Sequence, residues 1–90
     1  MNKTIITVVG KDKVGIIAKV CNFLADNQVN ILDISQTIID GYFNMMMLTD
    51  SSKAEKEFSV LADEIATVGE EIGVQIRMQK EEIFDCMHRI

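Results

Sequence analysis

Proline is absent from this 90-residue sequence and glycine occurs only five times, so no stretch reads as a flexible or proline-rich linker. Cysteine is equally scarce. Cys21 and Cys86 are too few and too far apart for a disulfide framework, and two reduced thiols fit a cytoplasmic setting. No apolar run approaches the roughly 18–20 residues that would cross a bilayer. Met1 to Thr4 lead directly into a strand-like run without the apolar segment and cleavage site of a signal peptide. Neither a membrane partner nor export is therefore expected. Positive charge is also in deficit: nine Lys and Arg stand against 14 Asp and Glu, for a net charge of −5 and a pI of about 4.7. That balance repels phosphate backbones, and no basic run with interleaved aromatics offsets it. Nucleic acid is excluded as an expected partner.

What is present is the composition of a soluble globular domain, with 48% hydrophobic and 26% charged residues. The length allows one domain over residues 1–90 and not two, with a thin core. Thr4 to Val9 is a β-branched run that predicts a strand. Gly10 to Gly15 then turns into a helix, with Asp12 placed as its N-cap. Val14, Ile17, Ala18, Cys21, Leu24 and Ala25 recur at helical spacing and predict its buried stripe. Val29 to Ile39 reads as a second strand, Asp40-Gly41 as a two-residue hairpin turn, and Tyr42 to Thr49 as the returning strand. Ser52-Lys53-Ala54-Glu55 has capping-box form. A helix that starts at this box and carries the apolar rhythm from Phe58 to Ile72 would run roughly twenty residues, about 30 Å at 1.5 Å per residue. Gly73 can take its left-handed C-terminal position. Val74, Ile76 and Met78 then alternate with polar residues as a half-buried strand. Glu81 to Ile90, with Ile83, Phe84, Met87 and Ile90 on one side, reads as a short added helix.

The order β-α-β-β-α-β predicts an α+β, ferredoxin-like domain: a four-stranded antiparallel sheet with two helices on one face. The core spans residues 3–80 and a helical extension residues 81–90. In this topology the first and third strands are central, and both carry apolar residues on both faces: Ile6 and Val8 against Ile5 and Val9, and Phe43, Met45 and Met47 against Tyr42, Met46 and Leu48. Two helices cover only one face, so the other requires the carboxy-terminal helix, a second copy, or both. The expectation is a homodimer or higher homo-oligomer. The Met45-Met46-Met47 run is read as packing, because adjacent strand residues point to opposite faces and cannot converge on a metal.

Residues for catalysis are few. His88 is the only histidine, near the end of the sequence with no evident carboxylate to orient it. Cys86-x-His88 offers two metal ligands at most, and Cys21 reads as a small buried hydrophobe. Neither a metal nor a cofactor is expected. An acylphosphatase-like enzyme would need an arginine where the loop enters the helix, and Lys13, Val14, Gly15, Ile16 and Ile17 supply none. A metal chaperone of this fold would need Cys-x-x-Cys there. The segment with most chemical content is Gly10 to Gly15. Its glycines let backbone N–H groups approach a small carboxylate at a helix start. The same residues have an equally physical structural reading, in which Gly10 makes the turn, Asp12 caps the helix and Gly15 lets helix and sheet approach.

The pattern GKDKVGIIAKVCNFLADNQVNILDISQ, Gly10 to Gln36, with Asp33-Ile34-x-Gln36 and Gly41-Tyr42-Phe43-x-Met45 after it, resembles the ACT domain, and among these the stand-alone ACT proteins. They are related to the glycine-cleavage regulator and to the amino-terminal domain of formyltetrahydrofolate deformylase. The resemblance implies a non-enzymatic regulatory module that binds an amino acid or related metabolite between two domains. It carries ligand contacts onto Gly10, Asp12, Lys13, Val14 and Gly15 of the loop and onto Asn30, Ile31, Asp33 and Gln36 of the second strand. Asn30 can accept from an ammonium and donate to a carboxylate, or equally cap a strand start. Asp33 and Gln36 fall on opposite faces of the strand. Val14 stands where many members have proline and lacks its fixed backbone angle. With no effector domain attached, the regulated partner enzyme would be a separate protein. The competing reading is a protein-interaction subunit without a ligand, docking through the sheet edge or the Ile83-Phe84-Met87 side.

Overall fold

The computed structural model describes residues 2–81; the expected carboxy-terminal helix, with Cys86 and His88, lies outside them. The elements are β1 (Lys3–Lys11), α1 (Ile16–Asp26), β2 (Asn30–Ile39), β3 (Tyr42–Asp50), α2 (Phe58–Ile72) and β4 (Val74–Lys80). The strands form one antiparallel sheet in the order β2-β3-β1-β4. This is the ferredoxin-like arrangement the sequence predicts, with β1 and β3 central.

Side-chain alternation sets the two faces. Ile6 and Val8 of β1, Phe43, Met45 and Met47 of β3, and Val74, Ile76 and Met78 of β4 are buried in one core with Ile16, Val20 and Leu24 of α1 and Leu61 and Ile65 of α2. Each such aliphatic side chain contributes about 1.5–3 kcal/mol on full burial. Two buried hydroxyls in that core satisfy each other: Thr4 and Thr49 are cross-strand neighbours whose Oγ atoms are hydrogen-bonded, and the Thr49 hydroxyl donates to the Thr4 carbonyl at 3.1 Å. On the opposite face Val9, Tyr42 and Met46 are exposed, while Ile5 is buried among its neighbours. Met46 therefore points away from Met45 and Met47.

Three local expectations are corrected. Residues Val14, Ile17, Ala18 and Ala25 of the predicted α1 stripe are exposed, and Cys21 is only half-buried. Leu24 is buried as expected, but the core takes Ile16 and Val20 with it in place of the others, so the buried row is shifted round the helix. The helix is apolar on more than one side, so periodicity alone could not choose. Secondly, α2 begins at Phe58, after Glu57, and has 15 residues, about 22 Å at 1.5 Å per residue. The capping-box residues instead turn the connection from β3, where Ser52 N–H donates to Asp50 Oδ1 at 3.0 Å and Ala54 N–H to the Ser51 carbonyl at 3.1 Å. Thirdly, Asp12 does not cap α1. That position belongs to Gly15, at φ 91°, with no side-chain hydrogen bond. The Asp40-Gly41 hairpin is as expected, with both residues at positive φ, 53° and 79°.

Candidate functional site

The loop after β1 is built differently from its sequence reading. Gly10 is not in the turn but within β1, opposite Val74. A β-carbon there would stand 2.7 Å from Val74 Cγ1 and 3.1 Å from its Cα, so close approach to β4 requires glycine. Gly15 has nothing within 4 Å of its β-carbon position, so its requirement is the positive φ and not helix–sheet packing. Asp12 N–H donates to the Gly41 carbonyl at 2.9 Å, which ties the loop to the β2–β3 hairpin. Val14 stands wholly out of the protein, at 106% relative exposure.

Lys13 has a partner that no local pattern announces. Its ammonium lies over Gly73 at the end of α2, 2.6 Å from where a β-carbon would be. The last turn of α2 carries Glu70 and Glu71 and no basic residue, so the negative end of the helix is charged the wrong way. Lys13 supplies the missing cation from another element.

On β2, register decides the faces. Asn30 pairs with Asp50, Ile31 with Thr49, Asp33 with Leu48 and Gln36 with Met45. Asp33 and Gln36 are thus on opposite faces, as their spacing predicts. Asn30 and Asp33, also three apart, share the face away from the helices, because an irregularity at Leu32 adds one residue between them. Asp33 Oδ1 accepts the Ile34 N–H at 2.9 Å. The bulge has no signature in the sequence.

The two groups of candidate residues do not meet within one chain. Gly10 stands opposite Phe43 and Asn30 opposite Asp50, so they are separated along β3 by roughly 24 Å at about 3.4 Å per residue. Beside Asn30 and Ile31 there is a hollow of about 650 Å³ between α1 and the sheet end, lined also by Cys21, Leu24, Ala25, Asp50 and Lys53. Sequence reasoning did not reach Asp50 and Lys53, which are distant in sequence and have no motif. The backbone N–H and hydroxyl of Ser52, with a further bond from the Asn2 backbone, hold the Asp50 carboxyl below the usual carboxylate range. A second hollow, of about 570 Å³ beside the start of α2, has Lys3, Lys56, Lys80 and Ser52 in its lining but none of the candidate residues. Among the described residues no three His, Cys, Asp or Glu side chains group as metal ligands, and no helix is long and apolar enough to cross a membrane.

A βαββαβ sheet with helices on one face, and a loop after its first strand that ends on Gly15, is the architecture of the ACT class of domains. Residues 2–79 match the ACT domain family, and the chain belongs to it; ACT domains are regulatory ligand-binding modules. A UPF0237 protein of Bifidobacterium longum is 61% identical over 90 residues, covering the whole of both chains. The structure is similar to that of an ACT domain protein from Streptococcus pneumoniae, with a TM-score of 0.82 and 44% identity over 92% of this chain and 93% of that one. A formyltetrahydrofolate deformylase from Pseudomonas syringae pv. tomato gives a TM-score of 0.81 over 89% of this chain and 28% of that one. At 24% identity this last likeness speaks for the fold alone.

Proposed function

We propose that the chain is a non-enzymatic sensor that binds an amino acid or related metabolite between two copies of itself and passes that state to a separate partner enzyme. The observation that carries this reading is the bare side of β2 and α1. Every β2 residue except Ile31 is exposed, and Ile34 and Ile38, on the helix side of the sheet, are 42% and 56% exposed. Cys21 and Ala25 of α1 face the start of β2 across the 650 Å³ hollow. Ile17 and Ala18, one turn earlier, fall on the same side of the helix and are also exposed. An apolar edge strand beside an apolar helix side is a surface that proteins cover. The other edge, β4, presents Gln75 and Arg77 to solvent.

A second copy fits this surface because a two-fold contact is self-complementary. Antiparallel pairing of two β2 strands sets the start of one beside the end of the other. Asn30 of the second copy then comes to the sheet end from which the Gly10–Gly15 loop emerges, and the 24 Å gap within one chain closes. Backbone donors of the loop would hold a carboxylate, and Asn30 an ammonium. The reading calls for no metal and no cofactor, and the net charge of −5 disfavours nucleic acid.

The test combines sedimentation equilibrium with a thermal-shift screen against the amino acids. A dimer stabilised by one or a few amino acids is expected, and Asn30→Ala should weaken that effect while leaving the dimer intact. A dimer indifferent to every amino acid would favour the ligand-free interaction subunit instead, and a monomer would remove the shared site.

A further inference from the structure

We propose that residues 82–90 cover the chain's own sheet, on the β1 and β4 half of the face away from the helices. Ile83, Phe84 and Met87 would lie on Val9 and Met46, with Glu82 and Asp85 beside the cations of that half. The inference does not rest on the sensor reading and adds to it a contact within one chain.

Register separates the charges of the open face. Its β1 and β4 residues pair as Ile5 with Gln79, Thr7 with Arg77 and Val9 with Gln75. The charged residues of these two strands on this face are Lys3, Lys11 and Arg77, all positive. Both acids of the face, Asp33 and Asp50, are on β2 and β3. Lys3 has Asp50 as its cross-strand neighbour, whereas Arg77 is exposed and has only Thr7 opposite. Between these cations the surface is apolar. Val9 is 46% exposed and Met46, opposite Thr7 on β3, is 43% exposed. Such a strip calls for an apolar cover with acidic groups at its edge.

Residues 82–90 match it in composition, charge and reach. They contain Ile83, Phe84, Met87 and Ile90, and both of their acids, Glu82 and Asp85, fall within the first four positions. β4 ends at Lys80, so Arg77 is three residues back, roughly 10 Å at about 3.4 Å per residue. Nine residues span about 13 Å even at the 1.5 Å rise of a helix, which puts Arg77 within reach in any form. Attachment to β4 gives the segment an effective concentration on the order of millimolar at this face, so a modest apolar contact holds it. The ion pairs fix its place more than they add energy. A second copy fits less well. Stacking two of the dimers proposed above face to face, with strands aligned and two-fold symmetry, sets Lys3 against Lys11 and Arg77 against Arg77. With the segment in place, the Ile83-Phe84-Met87 side belongs to the chain's own packing and not to a partner, and the β2 edge stays open.

The experiment is paramagnetic broadening in the NMR spectrum of the whole chain, with Cys21→Ala and a nitroxide on Cys86. The amide signals of Val9, Met46 and Arg77 should broaden and those of α1 should not, and Arg77→Glu should weaken the effect. When isotope-labelled chain without nitroxide is mixed with unlabelled chain that carries it, the same signals should stay sharp, because the contact is within one chain. Phe84→Ser should lower the melting temperature by roughly 6 °C, the low end for uncovering an aromatic side chain in a domain this small. Broadening of the open face in the mixture would give the face to a second copy and overturn the proposal. So would broadening confined to other residues, broadening indifferent to Arg77→Glu, or an unchanged melting temperature in Phe84→Ser.

Discussion

Ile38→Lys should take the proposed dimer apart without unfolding the chain. Ile38 sits on the edge strand β2 and is 56% exposed, so a lysine there meets water in the monomer and extends freely. Full burial of an isoleucine contributes about 1.5–3 kcal/mol, so covering the exposed 56% is worth about 0.8–1.7 kcal/mol per copy. A two-fold interface contains the residue twice, about 1.7–3.4 kcal/mol in all. At about 1.4 kcal/mol per factor of ten, the dimer dissociation constant should rise roughly 15- to 250-fold. Lysine adds to this, because its charge resists being taken out of water and is a natural guard of free sheet edges. Sedimentation equilibrium over a concentration series reads the constant directly, and thermal melting of the variant at low concentration reports the monomer. An unchanged dissociation constant would refute the reasoning and move the contact to the open sheet face, where Val9, Tyr42 and Met46 lie.

Three further substitutions probe the fold and the loop. Gly69→Ala should destabilise, although alanine is the better helix former by about 1 kcal/mol, because its β-carbon would stand 2.8 Å from both the Val74 carbonyl oxygen and Ile76 Cγ1. Overpacking of this kind costs about 1–3 kcal/mol, so a melting temperature equal to or above that of the parent chain would contradict the close α2–β4 contact. Lys13→Gln should weaken the last turn of α2 by about 0.3–1 kcal/mol, read as faster amide exchange around Ile72 and Gly73; exchange altered only in the loop would detach Lys13 from that helix. Asp50 titrates in the folded chain below its ordinary range because it is hydrogen-bonded by Ser52. The stability this adds is therefore complete above the unfolded value of about 3.9 and is lost as pH falls through the folded value. Asp50→Asn should flatten the dependence of melting temperature on pH below about 4, and an unaltered acid limb would show that the Ser52 bonds do not persist in solution.

The order of elements was legible in the sequence because local chemistry specifies it. β-branched runs, the Asp40-Gly41 pair and the rhythm of Phe58 to Ile72 each constrain only their own neighbourhood, and each appears where expected. The ACT resemblance was legible too, since it rests on the contiguous stretch Gly10 to Gln36. Among the candidate residues, the opposition of Asp33 and Gln36 followed from the two-residue period of a strand. The roles of Gly10 and Gly15 did not follow, because one answers to Val74 some sixty residues away and the other to backbone angle alone.

Sequence by itself therefore determined the element order, the two central strands and the family. Tertiary structure alone decided which side of α1 is buried, since a helix apolar on several sides is oriented only by what packs against it. It decided that Asn30 and Asp33 share a face, through an extra residue at Leu32 that costs a strand one pairing and leaves no mark on composition. It brought Lys13 to the end of α2, and Asp50 and Lys53 to the hollow beside Asn30, because spatial proximity across a sheet is set by register and not by separation along the chain. The distance between the loop and Asn30 is of the same kind: both stretches lie in one contiguous motif, yet the fold sets them at opposite ends of the sheet.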